Sequence, residues 1–281
     1  MLNVLKNRFE QGYRTSGYPK EKIELVSRYR GRPVIAKDIP DDLPNDIAEK
    51  CALACPQDAI NAKNKVIDMG RCIFCGNCER LSKGKFISFT QDFEIGTSER
   101  EHLVTAGELP DLAEHSKKHF KMLFGRSLQL RQVSAAGCNA CEADLNVLAT
   151  PFFDMARFGI NFVASPRHSD AIVVTGPISK NMKTALLQTY EAVPDPKVVI
   201  AVGSCTISGG PFTGSPEITE GLDTLLPVDL FIPGCPPHPL LSLIKISLAL
   251  NSEEEKKYRE LIQNDPEYKE VKMLESVKEV G

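Results

Sequence analysis

The chain has few aromatic residues and no tryptophan: phenylalanine and tyrosine make up only 7% of its 281 residues. It also lacks a long apolar run. The longest candidate, residues 240–250, is interrupted by Lys245 and falls short of the roughly 18 residues that a membrane-spanning helix needs. The formal net charge of −3 provides no basic field for nucleic acid. The first residues, MLNVLKNRFEQ, contain neither the apolar core of a signal peptide nor a twin-arginine pair. We therefore expect no nucleic-acid partner, no direct membrane span and no export from the cytoplasm.

Cysteine, by contrast, is abundant. Nine cysteines occupy positions 51, 55, 72, 75, 78, 138, 141, 205 and 235. In the cytoplasm thiols are kept reduced, so disulfides are not the favoured interpretation. Two groups with CxxC-type spacing indicate metal ligation instead.

Composition divides the chain into five segments. The segment at residues 31–95 is dense in Cys, Pro and Gly, and its core is too small to be stable without a stabilising cross-link such as a metal cluster. The segment at residues 96–126 is charged and ends in a predicted amphipathic helix at about residues 109–124. The segments are an arm expected to be extended (1–30), a small unit with strands near 33–36, 65–68 and 86–89 (31–95), a connector (96–126), a larger domain (127–250) and a charged helical tail (251–281).

Residues 127–250 alternate short apolar strands with helical stretches. This alternation predicts an α/β fold in which helices cover both faces of a parallel sheet. The predicted strands are 128–133, 160–164, 171–175, 198–202 and 230–232, and the predicted helices begin at residue 140 or span 180–192 and 240–249.

The N-terminal cysteines reproduce part of a ferredoxin pattern. Bacterial two-cluster ferredoxins repeat C-x2-C-x2-C-x3-C-P, and the fourth cysteine of each run ligates the other cluster. The motif CALACP, with Cys51 and Cys55, matches the end of a first run, and Cys72, Cys75 and Cys78 match the start of a second. The x2 spacing lets one tight loop present three thiolates to one face of a cubane.

Only one cluster survives this alignment. One cluster would need cysteine at positions 45, 48, 51 and 82, where the chain has Asn, Ala, Cys and Ser. The other needs positions 55, 72, 75 and 78, and all four are cysteine. We predict that these four bind one 4Fe–4S cluster and that Cys51 is left as a buried thiol. A zinc site is the alternative, since four thiolates also suit zinc.

The C-terminal cysteines are Cys138, Cys141, Cys205 and Cys235, in Gly- and Pro-rich segments that follow predicted strands. The carboxyl ends of parallel strands meet along one edge of an open sheet, where ligands bind. We therefore predict that these four thiolates converge, and that the glycines beside them allow the backbone to come close. The alternative is that all four are small buried apolar residues.

Two resemblances connect these patterns to known families. The stretch YRGRPVIAKDI ahead of CALACPQDAI resembles the start of the ferredoxin-type subunits that accompany energy-converting hydrogenases and NADH:quinone oxidoreductase. The motifs CNACEAD, SPRHSDAIVVTGP, PDPKVVIAVGSC and LPVDLFIPGCPPHP together resemble the small, proximal-cluster subunit of membrane-bound nickel–iron hydrogenases of the formate-hydrogenlyase type. The cluster-bearing subunit of NADH:quinone oxidoreductase shares that fold. This second resemblance covers about residues 127–250, and the chain differs from these relatives in fusing the two parts.

The resemblance implies a flavodoxin-like C-terminal domain and a small α+β ferredoxin-like N-terminal domain. It implies two 4Fe–4S clusters, the second ligated by Cys138, Cys141, Cys205 and Cys235. The chain would be an electron-transfer subunit of an oxidoreductase whose nickel–iron active site lies on a partner large subunit. Other expected partners are the membrane subunits of the same complex and a soluble ferredoxin, which would place the chain at the cytoplasmic face of the cell membrane.

The destination of the electrons has an alternative. The quinone oxidoreductase subunit pairs its first two cysteine ligands side by side, whereas this chain separates Cys138 and Cys141 by two residues, as hydrogenases do. An equivalent subunit of a nickel-free respiratory oxidoreductase, linked to quinone, sulfur or ferredoxin, is the second hypothesis. A zinc-stapled scaffold without redox function is the third.

Three further residues are candidates near the second cluster. Glu142 follows a predicted ligand, and we weigh a proton relay against stabilisation of a helix N-terminus. By the resemblance, Arg167 and His168 lie in a loop close to the cluster, where a cation would raise its reduction potential. The alternative for this pair is a hydrogen bond that anchors the loop.

Overall fold

A computed structural model describes residues 2–17, 25–36, 43–44, 46–93, 95–106 and 127–239. The predicted helices at 109–124 and 240–249 and the predicted tail at 251–281 lie outside these residues. Six helices and twelve strands lie within them. The helices are α1 (Leu2–Gln11), α2 (Ile47–Leu53), α3 (Asn77–Leu81), α4 (Ala140–Val147), α5 (Lys180–Ala192) and α6 (Ser204–Ser208). The strands are β1 (Pro33–Ile35), β2 (Ile60–Asn61), β3 (Val66–Asp68), β4 (Ile87–Phe89), β5 (Val104–Thr105), β6 (Leu128–Ser134), β7 (Ile160–Phe162), β8 (Ala171–Thr175), β9 (Ile178–Ser179), β10 (Val198–Val202), β11 (Ile218–Thr219) and β12 (Leu230–Ile232).

A five-stranded parallel sheet forms the C-terminal half of the described chain. Its strand order is β12-β10-β8-β6-β7, and every neighbouring pair is parallel. Numbered along the chain within this sheet, the order is the 2-1-3-4-5 arrangement of flavodoxin. Every residue of β8 and β10 is buried, as expected for central strands covered on both faces. The predicted flavodoxin-like fold is confirmed.

The N-terminal unit contains two small antiparallel sheets, β1-β4 and β2-β3-β5, together with the short helices α2 and α3. Its assignment as a ferredoxin-like domain stays a prediction. β5 lies within the predicted connector, yet it pairs with β3 and so extends the N-terminal unit beyond residue 95.

The predicted extended arm is wrong for its first part, because residues 2–11 form helix α1. Leu5 and Phe9 lie one helical turn apart, a spacing that the polar residues around them obscured. No helix within the described part of the chain is long and apolar enough to cross a membrane.

The two halves share one hydrophobic core. Met69, Ile95 and Leu103, all N-terminal to the parallel sheet, belong to the same buried cluster as its strands. Thr97 also exchanges two backbone hydrogen bonds with Phe231 of β12, at 2.9 and 2.7 Å. The N-terminal unit therefore packs against the edge of the sheet, beside β12.

This shared core can be tested by replacing Leu103 with alanine. Leu103 is fully buried, so L103A should lower the free energy of unfolding by about 2–5 kcal/mol, the usual range for a leucine deleted from a core. The neighbouring V104A is the control, since Val104 is 45% exposed and its loss should change stability by less than about 0.5 kcal/mol. Equal effects in anaerobic urea titrations would contradict the shared core.

Candidate metal centres

The four predicted N-terminal ligands line a single cavity, here called the first centre. Cys55 follows α2, Cys72 and Cys75 lie in the loop after β3, and Cys78 lies in the first turn of α3. The other walls are mostly apolar and include Ile60, Ile67, Ile73 and Phe89. The fold thus brings Cys55 to the three closely spaced cysteines, as the ferredoxin alignment requires.

Backbone N–H groups already point at two of these sulfurs. The N–H of Ala59 donates to the Sγ of Cys55 at 3.4 Å, and the N–H of Phe74 donates to the Sγ of Cys72 at 3.3 Å. The loop that carries Cys72 is fixed by Asp68, whose carboxylate accepts two charge-assisted bonds from Arg100, at 2.9 and 2.7 Å. N–H groups directed at sulfur favour the thiolate form, which is the form that binds metal.

Without a metal, two of these thiols, those of Cys72 and Cys78, would resist ionisation. Burial, together with the neighbouring cysteines, raises the pKa of Cys78 to about 12, although the backbone N–H of Glu79 opposes the shift. Burial also raises the pKa of Cys72, to which Cys78, Cys55 and Cys75 add. Four thiolates in an apolar cavity repel one another, and a cationic group between them removes that repulsion. The donor set therefore fits a metal cluster.

The space that a second ferredoxin cluster would need is filled by core side chains. Cys51 and Ala48 are buried among Ile47, Phe86 and Ile87. Ser82, which stands where the alignment would require a cysteine, is fully buried, and its hydroxyl accepts a bond from the N–H of Ile87 at 3.1 Å. The prediction that Cys51 is a buried thiol is confirmed.

The four C-terminal cysteines converge at the carboxyl edge of the parallel sheet and form the second centre. Cys138 and Cys141 follow β6, Cys205 follows β10 and Cys235 follows β12. Cys138 and Cys235 are exposed, whereas Cys141 and Cys205 are half-buried. Burial raises the pKa of Cys205 to about 11, with Cys235, Cys138 and Glu142 adding to the shift. As at the first centre, thiolates gathered here would need a positive group.

Glycine allows the backbone to approach this second centre closely. A Cβ on Gly203 would lie 2.6 Å from the Sγ of Cys141, and φ there is +89°. A Cβ on Gly210 would lie 2.8 Å from the Sγ of Cys205. Any side chain at these two positions would push a predicted ligand out of place.

Glu142 is buried beneath the second centre, with 7% of its surface exposed. Its Oε1 accepts hydrogen bonds from the hydroxyls of Ser134 at 2.6 Å and Thr175 at 2.8 Å. Burial alone would raise the pKa of Glu142, but these hydroxyls and its own backbone N–H lower it, and the net pKa lies below the ordinary value. This geometry favours a fixed carboxylate in the first turn of α4, and the proton relay stays a prediction.

Arg167 and His168 lie away from the cysteines. Both are exposed, in a short 3-10 helix just before the amino end of β8, whereas the cysteine loops follow the carboxyl ends of their strands. The two residues therefore lie towards the opposite edge of the sheet. Their role beside the second cluster stays a prediction that this placement does not favour.

Two other groups near the centres were not predicted. The Nη1 of Arg30 donates to the carbonyl of Phe74 at 3.1 Å, within the loop that joins Cys72 to Cys75. The hydroxyl of Ser204 donates to the carbonyl of Cys72 at 2.6 Å and so connects the two centres. Nothing in the sequence marked Arg30. The only sign at Ser204 was its place next to a predicted ligand.

Within the described part of the chain, no three His, Cys, Asp or Glu side chains are arranged to hold a single metal ion.

Known proteins similar to this chain indicate its family. The family model for the NADH ubiquinone oxidoreductase 20 Kd subunit matches residues 138–247, a range that contains all four cysteines of the second centre. A probable membrane-bound hydrogenase subunit, mbhJ, from Pyrococcus furiosus is 43% identical over 126 residues, which are 45% of this chain and 75% of that protein. The chain belongs to this family.

Two further members of the 20 Kd subunit family come from different enzymes. Formate hydrogenlyase subunit 7 of Escherichia coli is 40% identical over 131 residues, which are 47% of this chain and 51% of that protein. An NADH-quinone oxidoreductase subunit of Bacteroides thetaiotaomicron is 45% identical over 117 residues, 41% of this chain and 59% of that protein. The chain thus spans between half and two thirds of the length of these two relatives. The family consists of oxidoreductase subunits, and the matched range excludes the first centre.

The close approach at Gly203 can be tested with a matched pair of variants. G203A and G214A both place a Cβ at a positive φ, of +89° and +83°, but Gly214 has nothing within 4 Å of that Cβ. Both should carry backbone strain of about 1–2 kcal/mol, and only G203A should add an overpacking penalty of about 1–3 kcal/mol. Anaerobic urea titrations that gave equal losses of stability would contradict the contact with Cys141.

Proposed function

We propose that the chain binds two 4Fe–4S clusters and relays electrons through them to or from a nickel–iron large subunit in a membrane-bound hydrogenase complex. The main support is the presence of two separate sets of four convergent thiols, one per centre, in a member of an oxidoreductase subunit family. Each cluster, when bound, accepts and returns one electron.

The residues of the chain would hold and shield these clusters. Cys55, Cys72, Cys75 and Cys78 would ligate the first cluster, and Cys138, Cys141, Cys205 and Cys235 the second. The isoleucines around the first centre would exclude water, and the N–H groups of Ala59 and Phe74 would stabilise charge on the sulfurs. The cysteine count is consistent with a nickel site on a partner subunit. Eight of the nine cysteines are used as ligands, and Cys51 is the single one left, so no cysteine pair remains for nickel.

The two centres differ in how they would meet partners. Cys138 and Cys235 are exposed, so the second centre presents a side on which a large subunit can dock within electron-transfer distance. The first centre, the more enclosed of the two, would receive electrons from a soluble ferredoxin. Membrane subunits of the complex would hold the assembly at the cytoplasmic face of the membrane.

The two-residue spacing between Cys138 and Cys141 and the 43% identity to a hydrogenase subunit favour the hydrogenase. The 45% identity to an NADH-quinone oxidoreductase subunit favours the alternative, a nickel-free complex with the same relay. Nickel analysis of the purified complex distinguishes these two hypotheses, because a large subunit without nickel would overturn the hydrogenase hypothesis.

Metal analysis of single-cysteine variants tests the two-cluster proposal. The anaerobically purified chain should contain about eight irons and as many sulfides, four of each per cluster. C75A and C205A should each lose about half of the iron, and the electron paramagnetic resonance (EPR) spectrum should show which cluster is gone.

C51A is the matched control. Cys51 is fully buried and belongs to neither set. Its thiol only donates a long contact of 3.7 Å to the backbone carbonyl of Cys78, so C51A removes no ligand and should keep all of its iron. Zinc in place of iron, in a colourless protein, would support the zinc-stapled scaffold and overturn the relay. Loss of iron from C51A would overturn the assignment of the first four ligands.

Arg30 should raise the reduction potential of the first cluster. Its positive charge lies beside the loop that carries Cys72 and Cys75, and it would stabilise the extra negative charge that the cluster gains on reduction. R30Q should lower that potential by up to about 59 mV, a tenfold change for a one-electron couple. Water around this exposed side chain screens its charge and sets that limit. Redox titration followed by EPR measures the shift.

R28Q is the control for R30Q, since it removes the same charge from an exposed residue two positions away. Its first-cluster potential should stay close to that of the unmodified protein. If the two variants shifted this potential equally, the effect would come from overall charge and not from the contact with Phe74.

A further inference from the structure

Helix α6 is wedged between the two centres. It carries Cys205 of the second centre, and its two terminal serines face the loop of the first centre. The hydroxyl of Ser204 lies 2.6 Å from the carbonyl of Cys72, and the hydroxyl of Ser208 lies 3.0 Å from the carbonyl of Gly70. Both serines are buried, with 1% and 7% exposure. These bonds hold α6 against the loop at residues 70–72.

Ser204 touches both centres with a single side-chain atom. Its Oγ is also 3.1 Å from the carbonyl of Gly234, the residue before Cys235. A serine hydroxyl has one hydrogen to donate, so these two carbonyls compete for it, and the shorter contact is the one to Cys72. Hydrogen bonds in a buried site are stronger than in water, because no solvent competes for the donor.

We propose that Ser204 is the bridging residue of the electron path between the two clusters. This inference rests on the proposed function. The path runs from Cys72 through its carbonyl, across the hydrogen bond to the Ser204 hydroxyl, and along the backbone to Cys205. All of its steps are covalent bonds except that one hydrogen bond. Electron tunnelling is attenuated less by covalent and hydrogen bonds than by a gap of the same length, so we expect the coupling to depend on this contact.

The step changes only the oxidation states of the clusters. When electrons flow towards the large subunit, one electron leaves the first cluster, which is oxidised, and arrives at the second cluster, which is reduced. No proton moves, no bond forms or breaks, and Ser204 keeps its hydrogen. Ser204 is therefore a positioning residue that acts through Cys72 and Cys205.

The test uses the full chain with both clusters bound and compares S204A with the unmodified protein. A light-activated ruthenium dye would inject one electron, and rapid freezing followed by EPR would follow its movement between clusters. S204A should slow this transfer several-fold. It should also weaken the exchange coupling between the two reduced clusters, while the iron content and both reduction potentials stay unchanged.

S208A and S204T are the controls. S208A removes a buried hydroxyl from the same helix, but this hydroxyl contacts Gly70, which is not a ligand, so the transfer rate should be retained. S204T keeps a hydroxyl at position 204 and should restore the rate that S204A loses.

The outcomes separate this inference from the proposed function. An unmodified protein without two reducible clusters would overturn the proposed function itself. Two intact clusters with equal rates and equal exchange coupling in S204A and S208A would overturn only the role of Ser204. Loss of a cluster from S204A, but not from S208A, would assign the hydroxyl to cluster assembly and would also overturn the path.

Discussion

Mutual repulsion among closely gathered thiolates is the constraint on which both centres depend. The fold gathers each set of four cysteines into a small volume, and burial together with neighbouring sulfurs raises the pKa of Cys78 in the first set and of Cys141 in the second. A group with enough positive charge to bind all four at once reverses that balance. This constraint also bears on stability. The N-terminal unit has only short helices and strands, and two of its predicted ligands are part of its small core: Cys78 is a buried member and Cys72 packs against it.

The parallel sheet brings the four predicted ligands of the second centre together. Strands β6, β10 and β12 all end at the same edge, so ligands far apart in sequence meet there without a long loop. Glycine at positions 203 and 210 lets the backbone come against the sulfurs. The buried carboxylate of Glu142 ties β6, through Ser134, and β8, through Thr175, to the start of α4. These contacts attach the start of α4, which carries Cys141, to the sheet.

The apolar strands and the longest helix could be predicted from the sequence, because their signals are local. β8, β10, β12 and α5 have the predicted bounds, and the convergence of the cysteines follows from strand order alone. Helix α6 was missed because five residues are too few to show a helical period. Arg30 and Ser204 could not be predicted, since each meets its partner only through tertiary packing. The placement of Arg167 and His168 was equally hidden, because residues that share a motif with a buried strand can lie at either end of it.

The pairing of Thr97 with Phe231 has a consequence for how the molecule can be divided. Residues 95–106 contribute β5 to one half, a bridge to β12 of the other, and two members of the common core. The segment is thus an integral part of both halves and not a flexible linker. A cut at residue 95 would expose apolar surface on both pieces. An exchange of modules between this chain and its relatives would have to keep everything through Thr105 with the N-terminal part and supply a replacement for the edge that Thr97 covers.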